Sequence, residues 1–227
     1  MKGFTLVEIA IVLAILALLL GGMLVPISAQ IDQQKIMETE KSIELAKEAL
    51  TGFAMVKGYL PCPAVSATDG NEDRSSGNCN KRVGFLPWVT LASPRQDAWG
   101  HLFRYSVSPA FSMATPTFSF SSSADITIWT RNAAGVLAKL SNDNGIAAII
   151  LSHGKDGYGG TSISGAALAA PPAANVDEIS NAVNANLFVS RTQVTDPTTS
   201  GGAFDDIVDW ISPFTLFDRM VAAGRLP

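Results

Sequence analysis

The feature that most constrains this chain lies at its start. In MKGFTLVEIAIVLAILALLLGG one acidic residue, Glu8, stands just ahead of a run from Ile9 to Ala29 that contains no charge. At 1.5 Å rise per residue, about 20 such residues make a helix long enough to cross a hydrocarbon core of about 30 Å. A carboxylate at the edge of that run costs a few kcal/mol unless it is protonated or paired, so its presence needs a reason. Lys2 precedes the run, and Asp32 and Lys35 are the first charges after it. The lysine favours a cytoplasmic N-terminus, with the rest of the chain outside. Cleavage near Ala29, as in a secretory signal, is the alternative, but it leaves Glu8 unexplained and discards a helix that continues.

That continuation shows in Ile36, Thr39, Ile43, Ala46, Leu50 and Phe53, which step by three and four and form one stripe. Lys35, Glu38, Lys41, Glu44, Lys47 and Glu48 fall largely off it. One helix from about Phe4 to about Ala54 is expected, its outer half packed on a globular domain. Gly21-Gly22 and Pro26 predict a bend or local unwinding within it.

The order Gly3, Phe4, Glu8 ahead of an apolar run resembles the leader and first helix of type IV pilins and type II secretion pseudopilins. The resemblance covers about the first fifty residues. It implies that a prepilin peptidase cleaves between Gly3 and Phe4, that the new Phe4 amine is methylated, and that the helices assemble into a filament core. Glu8 would then neutralise the Phe4 amine of a neighbouring subunit, since a misregistered subunit would bury two lone charges. The bland reading has Glu8 snorkelling to the interface. The implied partners are other pilin or pseudopilin subunits, the peptidase and an inner-membrane assembly platform. The implied location is a single pass of the inner membrane with a periplasmic C-terminal domain, and a filament after assembly. The expected organisation is a leader over 1–3, a membrane and filament-core half over 4–30, an amphipathic half over 31–57 and a pilin-like domain over 58–227. After cleavage the subunit is larger than major pilins usually are, which suggests a minor or accessory role.

With a net charge of −4 and scattered Lys and Arg, no nucleic-acid footprint is present. The two cysteines, Cys62 and Cys79, flank a Gly/Ser/Asn/Asp-rich stretch. Outside the cytoplasm they would close a loop of about 18 residues worth about 3 kcal/mol; two unpaired thiols are the alternative.

The remainder predicts an α+β domain, loop-rich, with the long helix across an antiparallel sheet. Strands are expected over Phe103 to Val107, Thr117 to Phe120, Ile126 to Thr130 and Ala147 to Leu151. Short helices are expected around Val176 to Ala185 and from Pro213, the latter packed on the domain with Phe214, Phe217 and Val221 on one face. Trp88, Trp99, Trp129 and Trp210 read as core anchors. DAWG, SHGKDGYGG and FDDIVDW also resemble segments of the major pseudopilin of type II secretion. That resemblance implies a calcium ion held by Asp156, Asp205 and Asp206. A hairpin turn at Asp156-Gly157 with two solvated aspartates reads the same residues without a metal. His101 and His153 are the only histidines, and no H-x-x-x-H, G-x-S-x-G, C-x-x-C or phosphate-loop pattern exists, so no enzyme and no other cofactor is expected.

Overall fold

The computed structural model describes residues 3–18, 27–142 and 144–226. The chain divides into two compact units, Met1–Glu38 and Thr39–Pro227. A single helix, α1 (Leu6–Lys57), is assigned across that division. The expected bend at Gly21-Gly22 and Pro26 lies outside the described residues. In the first unit the side chains of residues 3–18 are exposed.

The second unit is built around the outer half of α1. Thr39, Ile43, Ala46, Leu50 and Ala54 are buried, a three-and-four stepping that puts them on one helical face. Phe53 is only partly covered, so Ala54 completes the stripe in its place. Small and β-branched or γ-branched residues on this face let the helix approach a sheet closely.

That sheet has the order β3-β4-β7-β9, with β3 at Val83–Phe85, β4 at Arg104–Val107, β7 at Ala148–Ser152 and β9 at Ile207–Ile211, all antiparallel. The connections carry a small ribbon of β1 (Arg74–Ser75) and β2 (Asn78–Cys79) and the one-turn helices α2 (Trp88–Leu91) and α3 (Pro109–Ser112). Side chains alternate across it, as a period of two requires. Tyr105, Val107, Ala148, Ile150 and Ile211 join the α1 stripe in one core, while Ile149 and Leu151 point into a second. The second core is closed by Ile126, Ile128 and Phe188. These come from or border a three-stranded sheet of β5 (Thr127–Arg131), β6 (Leu137–Lys139) and β8 (Leu187–Val189), in which β5 and β8 run parallel. An α+β architecture with a long helix against an antiparallel sheet is therefore what the chain adopts.

Several local expectations differ. Thr117 to Phe120 forms no strand: Ser119 and Ser122 bond to one another locally, Ser119 N to Ser122 Oγ at 3.0 Å and Ser122 N to Ser119 O at 2.9 Å. Such short-range bonds compete with sheet pairing. Phe118 instead packs on Phe111 and Phe217. The C-terminal helix, α5 (Pro213–Ala222), starts at the expected proline, behind a Ser212 cap that accepts from Thr215 N at 3.2 Å. Its buried face is Pro213, Leu216, Phe217 and Met220, leaving Phe214 and Val221 exposed. The four tryptophans are all half-buried; the largest enclosed rings are Tyr105, Phe103, Phe111, Phe188 and Phe204. Trp88 lies so close to Gly70 that a Cβ there would sit 2.2 Å from the indole, which explains the glycine.

Two cross-links hold the loops before β3. Cys62 and Cys79 form a disulfide with Cα atoms 5.2 Å apart, and Arg74 donates to Leu60 O (3.2 Å), Gly77 O (2.9 Å) and Ser112 O (2.6 Å) while pairing with Glu72. Closing a loop of this length restricts the unfolded chain by about 3 kcal/mol. Replacing both cysteines by serine should lower the unfolding free energy by about that amount in a denaturant titration. An unchanged midpoint would show that Arg74 alone holds the segment.

Candidate functional site

Two places in the chain gather chemistry. The first is the N-terminal turn. Thr5 N and Thr5 Oγ1 both donate to Glu8 Oε2 at 2.8 Å, and Glu8 N donates to Thr5 Oγ1 at 3.2 Å. This reciprocal arrangement is a capping box, which satisfies donors that a helix start would otherwise leave open. The T-x-x-E spacing was visible in TLVE, so the helix start at Leu6 was readable as well as the charge. Glu8 Oε1 takes no part in the cap. Phe4 is 84% exposed, and Phe4, Ile9, Ile11, Val12 and Leu13 form an apolar surface around Glu8. Gly3 meets nothing that would clash with a Cβ, so the fold of this turn does not itself demand glycine.

Residues 1–24 match the family model of the prokaryotic N-terminal methylation motif. The chain opens with a prepilin-type segment. That motif is the hallmark of type IV pilins and pseudopilins, and it suggests a structural subunit rather than an enzyme. It also implies processing by a prepilin peptidase and assembly with other pilin subunits. Comparison with curated proteins and with solved structures finds no match. No helix among the described residues is long and apolar enough to cross a membrane, and the Ile9 to Ala29 run includes residues 19–26, which lie outside them.

The second place lies at one end of the four-stranded sheet. Because β7 and β9 are antiparallel with Ser152 opposite Ile207, the chain leaving β7 and the chain entering β9 must adjoin. SHGKD and FDD are thereby brought together. Asp97 secures the corner: its Oδ1 accepts from Trp99 N and His101 N, both at 2.9 Å, and its Oδ2 accepts from Ser152 Oγ at 2.6 Å. The buried serine hydroxyl thus donates to a carboxylate and accepts from Gly154 N at 3.1 Å, and among the described residues no histidine nitrogen bonds to it. Gly154 follows with φ +62°, and a Cβ on it would lie 2.4 Å from Asp205 O and Oδ1. Only glycine permits that turn and that approach.

Asp156, Glu178 and Asp205 each bring a carboxylate oxygen to within 4.8 Å of the others. Asp156 N donates to Asp205 Oδ2 (2.9 Å), and Asp205 N donates to Glu178 Oε1 (3.2 Å). Glu178 is fully buried on α4 (Val176–Val183), while Asp205 Oδ1 is buried with no hydrogen-bond partner among the described residues. Of the three acids singled out in the sequence, Asp156 and Asp205 converge. Asp206 is buried elsewhere, accepting from Asn181 Nδ2 at 2.8 Å and facing His153 Nδ1 at 3.5 Å. Neither Asp205 nor Asp206 is a solvated loop charge.

Glu178 was not legible because no local pattern marks it; α4 is positioned by distant partners. Arg131 grips Asp177 with two bonds of 2.7 Å, and Asn181 exchanges bonds with Val189 N (2.7 Å) and O (2.9 Å). The resulting oxygen-only donor set suits a hard divalent cation, which would need further oxygens from carbonyls or water to reach six or more.

Burial, together with the charges of the neighbouring carboxylates, pushes Glu178 up to about 7, and burial with Asp156 and Asp206 pushes Asp205 up to about 7. The metal-free fold therefore keeps protons that the unfolded chain releases above about pH 4.5. Stability contributed by these protons is present at low pH and is lost as pH rises toward 7. In chelator, thermal unfolding should occur at a lower temperature at about pH 7.5 than at about pH 5.5. A flat or opposite trend would mean these carboxylates do not hold protons in the fold.

Proposed function

We propose that the protein is a minor or accessory subunit of a type IV pilus or of a type II secretion pseudopilus. It would be anchored through its first helix in the inner membrane, displayed in the periplasm and drawn into a filament by an inner-membrane platform. The observation that carries the reading is the N-terminal turn: a match to the methylation motif combined with an exposed apolar surface that surrounds a single carboxylate. An apolar helix of this kind is left bare by an isolated subunit and is covered either by lipid or by neighbouring helices.

The carboxylate then decides which neighbour position is acceptable. Cleavage after Gly3 creates a cationic amine on Phe4, and Glu8 of the next subunit supplies the opposite charge in a medium of low polarity. A slipped subunit would bury two uncompensated charges, at several kcal/mol each. Glu8 Oε1, which the cap leaves open, is the atom placed to accept from that amine.

Mass spectrometry of the mature protein should find Phe4 at the N-terminus with a methylated amine. Glu8→Ala should insert and fold, because only one cap partner is lost, at about 1 kcal/mol. The same variant should be absent from filaments; normal incorporation would defeat the pairing account.

We further propose calcium as the ion for the Asp156, Glu178 and Asp205 oxygens. Support comes from the all-oxygen donor set, the buried unpartnered oxygen of Asp205 and the mutual repulsion of the carboxylates. Calcium must displace the protons held there, so its binding should strengthen as pH rises through about 7. A thermal shift on adding calcium at neutral pH, reduced in Glu178→Gln, is the expected result. An identical shift in that variant would remove Glu178 from the site.

A further inference from the structure

A separate small cavity of about 100 Å³ opens on the face of the sheet away from α1, lined by Phe85, Arg104, His153, Gly159, Gly160 and Thr161 among others. Arg104, on β4, makes one hydrogen bond, from Nη2 to the Asn184 carbonyl at 3.0 Å. Its Nε is buried and has no hydrogen-bond partner among the described residues. Among the described residues no carboxylate lies in ion-pair contact with the guanidinium, and Asp206 acts on it only at longer range. Burial without a counter-ion disfavours its charged form.

Such an arrangement is costly. A guanidinium keeps its charge at any physiological pH, and a half-buried one whose acceptor is a neutral carbonyl is undercompensated. Elsewhere in this chain the buried or half-buried arginines are answered by carboxylates: Arg131 by Asp177, Arg74 by Glu72 and Arg82 by Asp125. Arg104 faces a cavity instead.

The second side chain of the cavity that carries nitrogen donors is His153, only 2% exposed. Its Nδ1 lies 3.5 Å from Asp206 Oδ1 and makes no hydrogen bond among the described residues. Its Cδ2 lies against Gly160, where a Cβ would come within 3.2 Å, and so the opposite edge of the ring is the one that borders the cavity with Gly160. Asp206 would repel an anion, but its carboxylate already accepts from Asn181 Nδ2 at 2.8 Å.

We propose that this cavity binds a small oxyanion of phosphate size, with Arg104 as its principal ligand and His153 as the second donor. The volume admits a single tetrahedral oxyanion and is too small for a nucleotide or a sugar phosphate. The proposal does not depend on filament assembly or on the carboxylate cluster.

The test uses the full chain in detergent, with chelator present, titrated with inorganic phosphate against sodium chloride of equal ionic strength. Phosphate should raise the unfolding temperature saturably and chloride should not. Arg104→Gln should abolish the phosphate response, and His153→Gln should weaken it by about tenfold, the effect of one hydrogen bond. Arg82→Gln, which removes an arginine outside the cavity, should leave it unchanged. Should Arg104→Gln fail to fold, broadening of the phosphorus resonance of inorganic phosphate by the native chain, shifted to about tenfold higher phosphate with His153→Gln, reads the same site. Phosphate stabilisation that never saturates, or that survives in Arg104→Gln, overturns the assignment. Competition by a short phosphate monoester would assign the site to an esterified phosphate, and its failure to compete would assign it to the free ion; either result retains an oxyanion site.

Discussion

The arrangement of the globular unit depends on one strand with two buried faces. β7 carries Ala148 and Ile150 into the core shared with α1, and Ile149 and Leu151 into the core shared with the smaller sheet. A strand that reads AIILS has no polar side to give to water, so it can only be central. Its neighbours follow. β4 and β9 pair with it on either side, and the helix and the second sheet cover its two faces. The residue that ends it, Ser152, is fully buried too, and it survives there because Asp97 accepts its proton at 2.6 Å.

This ending decides where the polar chemistry collects. Once Ser152 is fixed opposite Ile207, two loops rich in acids are forced to share a corner of the sheet. Carboxylates that the fold crowds together cannot all remain ionised in a half-buried place, so they hold protons, take a cation or are bonded by amides. All of these answers have a place here: Glu178 and Asp205 are pushed toward 7, Asp206 is held by Asn181, and the three converging oxygens suit a hard cation. The tie between helix and sheet uses the same economy at a smaller scale, with Lys47 Nζ on α1 reaching Asp209 Oδ2 of β9 at 2.8 Å and Arg225 donating to the Met55 carbonyl near the end of α1.

How much of this was readable depends on the range over which each residue finds its partner. The α1 stripe from Thr39 to Leu50 follows from period alone, and the strands at β4, β5 and β7 from runs of branched and aromatic residues. β9 was hidden because IVDWI contains an acid whose partner, Lys47, is remote. A helical wheel puts Phe214 and Val221 on one face with Phe217 without saying which edge of it meets the core; the ring of Phe217, set among Phe111 and Phe118, settles it. Thr117 to Phe120 was misread because the serines that follow satisfy each other. Glu178 could not be found at all, since its position is set by Arg131, Asn181 and the carboxylates it faces.

The two ends of the molecule solve the same problem at different times. At the sheet corner, charges are brought together by folding, and the polar groups around them are already in place. At the N-terminal turn, Thr5 satisfies one oxygen of Glu8 and leaves the other open, so the subunit is soundly capped and still electrostatically incomplete. A helix start that was fully satisfied would gain nothing specific from a neighbour, and one left wholly unsatisfied would fray. On the proposed reading, the intermediate condition would let a single exposed helix turn remain folded before assembly while keeping one acceptor for the cationic end of another chain.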